Sequence, residues 1–226
     1  MIQDPLNRFI TTINSHFDLA GKRVLEIGCG KGRVTRDLAT YAQQVVATDP
    51  DADAIAAARQ AVPSDNVAFI VTADGLPAAP PASFDAVLYT LSLHHVPETE
   101  MVGSLQKAGQ LLRPGGVIIV VEPGDGGSFN EAKQRFGAGS GDEGPLKEAA
   151  IRAMQSLPGW DLGDTIPFQT HFLFDDEQDF CRSKLPAYQD FSEMEQQAVM
   201  DFLGEHRTDA GILLSSDRRL NILSRS

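Results

Sequence analysis

One stretch constrains the chain more than any other: Val24-Leu25-Glu26-Ile27-Gly28-Cys29-Gly30-Lys31-Gly32-Arg33-Val34-Thr35. Val24, Leu25 and Ile27 make a short apolar run that breaks into three glycines. This is the pattern of a buried strand turning sharply into a helix. Glycines at alternate positions let backbone N–H groups approach a ligand with no Cβ in the way. The helix that follows adds the positive end of its dipole. The spacing departs from two familiar loops. A dinucleotide fingerprint has its third glycine five places after the first, where this chain has Arg33. A phosphate-cradling Walker loop needs Ser or Thr after its lysine, and Lys31 is followed by Gly32. Glu26 would repel a pyrophosphate and attract an amine. The loop therefore suits a nucleoside that carries an ammonium group.

The rest of the chain alternates between two periodicities. Leu6, Phe9, Ile10, Ile13 and Phe17 share one face of a helix over 4–18, ended by Gly21. Strands are expected at 23–27, 44–48, 66–72, 84–89, 117–121, 166–174 and 219–223, with a local pair at 212–214. Helices are expected at 33–41, 51–61, 98–112, 145–157, 176–185 and 192–206, the third-last following a glycine-rich loop over 124–144. Asp51 or Asp53 is the expected cap of the second of these helices. Asp49 stands at the tip of the strand after the glycine loop, 19 residues beyond Gly30. An acidic residue there accepts hydrogen bonds from vicinal ribose hydroxyls. Asp74-Gly75 follows the third strand, where Asp-Gly is otherwise a turn signal.

These segments resemble the class I S-adenosylmethionine-dependent methyltransferases, in their small-molecule, type 11-like layout. The glycine loop looks like that family's motif I. Asp74-Gly75-Leu76 looks like its adenine-binding turn, and Phe84-Asp85-Ala86-Val87-Leu88 like its fourth strand. Leu111-Leu112-Arg113-Pro114-Gly115-Gly116 followed by Val117-Ile118-Ile119-Val120-Val121 looks like its fifth. The match is strong over 22–123 and holds only in outline over 145–226. It implies an α/β fold: a Rossmann-like, seven-stranded, mostly parallel sheet with an antiparallel last strand, helices on both faces and a helical insert at about 175–209. It also implies one domain over 1–226. In that layout 1–20 is a cap helix, 22–123 the cofactor-binding core, 124–144 a flexible loop or partly helical flap and 145–226 the substrate side.

The resemblance further implies methyl transfer from S-adenosylmethionine to a small-molecule acceptor, leaving S-adenosylhomocysteine, with no metal. The loop Gly28, Cys29, Gly30 and Gly32 would hold the methionine and sugar. Glu26, Thr90 and Leu91 would face the amino group. Asp49, with Pro50 beside it, would hold the ribose, and Asp74, Gly75 and Leu76 the adenine. His95, or else His94, would serve as general base where the acceptor must lose a proton. A histidine that merely lines the cleft is the plainer reading of either. Two other classes stay open: a nicotinamide-dependent oxidoreductase sharing the strand–helix–strand start, and a non-catalytic domain that binds cofactor or a partner.

Charge and cysteine content narrow the field. The formal net charge is −12 with no basic cluster, which disfavours a nucleic-acid partner. Cys29 and Cys181 form no CxxC pair, so neither a zinc site nor a redox pair is indicated. No leader segment or membrane-length apolar run stands out, and the expected location is the cytoplasm. No segment specifies an oligomeric state.

Overall fold

Short apolar runs separated by glycine and proline turns become strands here, and the amphipathic stretches between them become helices. The computed structural model describes residues 1–139, 141 and 143–226. In chain order the elements are β1 (Ile2–Gln3), α1 (Arg8–His16), β2 (Arg23–Ile27), α2 (Arg33–Tyr41), β3 (Gln44–Asp49), α3 (Ala52–Ala61) and β4 (Val67–Val71). Then come β5 (Phe84–Thr90), a 3-10 turn (Leu93–His95), α4 (Glu98–Gln110), β6 (Leu112–Pro123), α5 (Ser128–Phe136), α6 (Gly144–Gln155) and β7 (Trp160–Leu162). The chain ends with β8 (Ile166–Phe174), α7 (Glu177–Lys184), a 3-10 turn (Pro186–Asp190), α8 (Glu193–Glu205), β9 (Arg207–Thr208) and β10 (Gly211–Arg225). All seven expected main strands are present, and β1, β7 and β9 are short additions. Among the described residues, no helix is long and apolar enough to cross a membrane.

The chain divides into two compact units. One comprises residues 10–122, 144–166 and 219–226. Its strand order is β4-β3-β2-β5-β6-β10, with β7 on β10. The β2–β3, β2–β5, β3–β4 and β5–β6 pairs are all parallel. Parallel strands are covered on both faces and read as unbroken apolar runs. Val24, Leu25, Val45, Ala86, Val87, Leu88 and Ile118 are accordingly fully buried. One core joins β2, β5 and β6 to α4 and α6 through Leu25, Val87, Leu105, Ile118 and Ala150. Asp51 is the cap of α3, accepting from the Asp53 and Ala54 amides at 2.8 and 3.1 Å.

The other unit comprises residues 1–9, 123–143 and 167–218. Its strands run β1-β8-β10, with β9 on β10, and the β1–β8 and β9–β10 pairs are antiparallel. The core is aromatic: Phe129, Phe172, Phe174, Phe180 and Phe202 pack with Val199 and Leu214. Asp4 caps the start of α1, its carboxylate accepting from the Arg8 and Phe9 amides at 2.9 Å each. Ser192 and Glu195 form a reciprocal capping box at the start of α8, the arrangement their spacing specifies.

One open alternative is decided and one expectation needs correction. The stretch 124–144 is partly helical, one of its two expected forms: α5 occupies Ser128–Phe136. Phe129 and Ala132, three apart, are buried, a helical face that the flanking glycines obscure. Ser140 and Asp142 of the expected loop lie outside the described residues. The last strand is not a short 219–223 segment beside a separate 212–214 pair. β10 is continuous, and Ile212, Leu214, Ser216, Arg218 and Leu220 alternate as buried positions. Asp217-Arg218 looks like a break in the sequence. The Arg218 guanidinium instead lies over the Phe9 ring at 5.6 Å, so a charged residue occupies an inward position.

Phe180 is fully buried and meets Phe174 edge-on, with ring centroids 5.1 Å apart. Phe180→Ala should lower stability by roughly 3–5 kcal/mol, measured as a fall in the urea midpoint by circular dichroism.

Candidate functional site

The parallel strands β2, β3 and β5 end side by side, and the segments beyond their C-terminal ends surround a cavity of about 710 Å³. This is where ligands enter open parallel sheets. The glycine loop supplies Gly28 and Gly30, and the end of β3 supplies Asp49 and Pro50. The turn after β4 supplies Asp74, Gly75 and Leu76. The end of β5 supplies Leu91, Ser92 and His95. One side of α4 closes the wall with Glu100, Gly103, Ser104 and Lys107.

The three loop glycines do different jobs. A Cβ at Gly28 would stand 2.4 Å from the Ser92 Cβ, so this glycine lets the turn after β5 sit against the loop. Ser92 in turn donates through Oγ to the Ile27 carbonyl at 2.6 Å. A Cβ at Gly30 would meet nothing within 4 Å; here the backbone faces the cavity. Gly32 is off the wall, and a Cβ there would press on Ala58 and Val62 of the α3 region at 3.1 Å. All three have positive φ, between 53° and 80°, which favours glycine over any residue with a Cβ.

Asp49 braces the same loop. Its carboxylate accepts from the Gly30 amide at 2.8 Å and the Asp51 amide at 2.9 Å. Its oxygens keep further lone pairs for a ligand. The Asp74 carboxylate accepts from the Leu76 amide at 3.2 Å, and Lys107 Nζ lies 3.4 Å from its other oxygen. Leu91 holds φ 57° at the cavity edge, an uncommon conformation for a residue with a Cβ. Its amide donates to the Val121 carbonyl at 2.8 Å, which keeps the strand end in place.

Several expected site residues lie off the wall. Glu26 is 1% exposed and accepts from the Thr35 hydroxyl at 2.6 Å. Burial pushes its carboxyl up to about 7, against the pull of that hydroxyl and of Arg33. Cys29 is buried, and burial, with Glu26 and Asp49 adding to it, pushes its thiol up out of the reactive range. Thr90 is buried, and its Oγ1 has no hydrogen-bond partner among the described residues. The histidines separate. His95 lines the cavity, whereas His94 is 2% exposed, with ring Nδ1 against the Glu122 carboxylate. Of the two histidines named from the sequence, His95 is the one on the cavity wall, because the 3-10 turn points adjacent residues in different directions.

Sequence reading missed the α4 wall, Ser92 and the His94–Glu122 pair. Gly103, a poor helix former inside α4, was the one available signal for the wall. The residues present suit a nucleoside with a charged tail. The carboxylates of Asp49, Asp74 and Glu100 and the His95 imidazole line one cavity, with the open Gly30 backbone position on the same wall.

Comparison with known proteins agrees with this geometry. Residues 25–120 match a family described as a methyltransferase domain. A ubiquinone biosynthesis O-methyltransferase of Xanthomonas oryzae is 32% identical over 111 residues, 48% of this chain and 46% of that one. The chain spans about half the length of the curated relatives it matches. Among solved structures, a SAM-dependent methyltransferase from Aquifex aeolicus has a TM-score of 0.55 at 16% identity, covering 72% of this chain and 87% of that one. The 4+2-cyclase SpnF has a TM-score of 0.59 at 19% identity, covering 96% and 80%. Both likenesses show the fold.

The raised Glu26 carboxyl makes a pH prediction. The folded form keeps its proton between the ordinary 4.5 and about 7, where the unfolded chain has lost it. Stability is therefore undiminished below 4.5 and falls as pH rises toward 7. The full cost is on the order of 3 kcal/mol. Glu26→Gln keeps an acceptor for Thr35 and removes the charge. It should raise the melting temperature by roughly 5 °C or more at pH 8 and leave it unchanged at pH 4, by scanning calorimetry.

Proposed function

We propose that this chain, whose residues 25–120 belong to the class I S-adenosylmethionine-dependent methyltransferase family, transfers a methyl group to an oxygen of a small-molecule acceptor. The observation that carries the reading is the convergence of Gly30, Asp49, Asp74 and His95 on one cavity. When bound, S-adenosylmethionine supplies an activated methyl group. Every other contribution comes from the chain.

Asp49 accepts the ribose hydroxyls while its bonds to Gly30 and Asp51 hold the loop at the right height. Asp74 takes the adenine amine, and Pro50 and Leu76 flank the ring. The Gly30 backbone lies against the tail. Glu26, off the wall, acts on the ammonium group only as a buried charge. The cavity wall aligns the two reactants and excludes water, and such positioning supplies most of the rate in a single in-line displacement. His95 accepts the proton that a hydroxyl acceptor must lose. The net charge of −12 supports a small acceptor over a polyanion. The O-methyltransferase relative supports oxygen as the nucleophile.

Calorimetric titration with S-adenosylhomocysteine should show binding at roughly micromolar Kd, an energy of about 8 kcal/mol. Asp49→Ala should weaken it by roughly 1–3 kcal/mol, and Asp49→Asn by less, since the amide oxygen still accepts. No binding by folded protein, or equal affinity in the Ala variant, would overturn the cofactor assignment. Binding without turnover on any hydroxylated acceptor would leave a cofactor-binding domain only.

A further inference from the structure

We propose that Glu122 and His94 form a buried positioning pair that orients His95 in the cavity. The inference rests on the reading of His95 as the group facing the acceptor. Glu122 ends the apolar part of β6 and is 2% exposed, as is His94. One carboxylate oxygen meets the His94 ring at Nδ1, and the other accepts from the His94 backbone amide at 3.3 Å. A single carboxylate therefore grips one residue twice, by ring and by backbone. With the carboxylate as acceptor, the ring proton sits on Nδ1, so the tautomer is set along with the orientation.

The next residue carries the consequence. The His94 and His95 rings lie with centroids 4.1 Å apart and planes 46° apart. His95 lines the cavity, and its amide closes the 3-10 turn on the Ser92 carbonyl at 3.2 Å. His95 thus packs, tilted, against a ring that Glu122 holds at Nδ1 and through its backbone. A well-packed apolar pair would hold this turn without burying a carboxylate, and burying one is costly unless it is fully partnered. Ionisable groups on the two helices packed against the turn are otherwise engaged or lie elsewhere on the wall. Glu98 and Glu148 pair with Arg152 at 3.0 and 3.8 Å. Glu100 and Lys107 line the cavity, and Lys147 has its own interactions. Glu122 is the acid that holds His94, the ring against which His95 packs.

The test uses the full chain with 15N-labelled histidine, free and bound to S-adenosylhomocysteine. Wild-type protein should show His94 as the Nδ1–H tautomer, with a strongly downfield ring proton, and one sharp set of His95 ring signals. In Glu122→Leu, the downfield proton should vanish and the His95 signals should broaden or move, with cofactor-product affinity within about threefold. Glu122→Gln keeps one acceptor and should give an intermediate spectrum; it also serves should the Leu variant fail to fold. With an active acceptor, kcat should fall about 10–100-fold in the Leu variant, recover in part with Gln, and leave the cofactor KM unchanged. Unchanged His95 signals in both variants would overturn the proposal, as would a loss of stability with kcat intact. Because the spectra need no acceptor, they decide it even if methyl transfer fails.

Discussion

There is no room for a side chain at position 28. A Cβ there would stand 2.4 Å from the Ser92 Cβ, and that exclusion joins two parts of the sequence far apart along the chain. It brings the end of β2 against the turn after β5, and the Ser92 hydroxyl locks the pair through the Ile27 carbonyl. The cavity depends on this contact. One wall is the glycine loop, the other is the 91–95 segment, and their approach decides how far Gly30 and His95 stand apart. The glycine is therefore first a packing residue. Gly28 and Gly30 both line the cavity, and of the two Gly30 has open space where a Cβ would stand.

Around that contact, the chain uses backbone hydrogen bonds to fix acidic groups rather than pairing them with cations. Asp49 is held by two amides and Asp51 by two more at the start of α3. Amide donors are part of the rigid scaffold, so a carboxylate held by them keeps one position and still offers lone pairs outward. A surface lysine would give a looser and weaker partner, as the half-exposed Lys107–Asp74 contact illustrates. Asp49, held by two amides, is thus fixed more firmly than Asp74, held by one.

Much of this was legible in the sequence because parallel strands are covered on both faces. Val117–Val121 and Val24–Ile27 read as apolar runs whatever surrounds them, and Pro and Gly mark their ends. Asp49 and Asp74 were legible as well, since strand-end residues occupy fixed places relative to the sheet. What escaped depends on contacts between distant residues. The continuity of β10 was hidden by Asp217-Arg218, whose arginine packs on an aromatic ring. The pattern of a helix reveals which face is apolar, but not that the polar side of α4 walls a cavity. Nor does a His-His pair reveal which ring turns inward.

The two buried carboxylates of this unit show how one residue type can serve opposite ends. Glu26 has a hydroxyl for its partner, which compensates for little of the lost hydration, so burial raises its carboxyl to about 7. Near neutral pH it is poised between forms, and an arriving cation would favour the ionised one. Glu122 meets an imidazole and a backbone amide from the same residue, a pairing that favours one orientation of the ring. The first acid responds to charge, while the second holds shape. Both stand off the cavity wall, where a ligand touches neither. The groups that meet the ligand can then remain few, and the acids behind them govern charge at the glycine loop and orientation at the histidine turn.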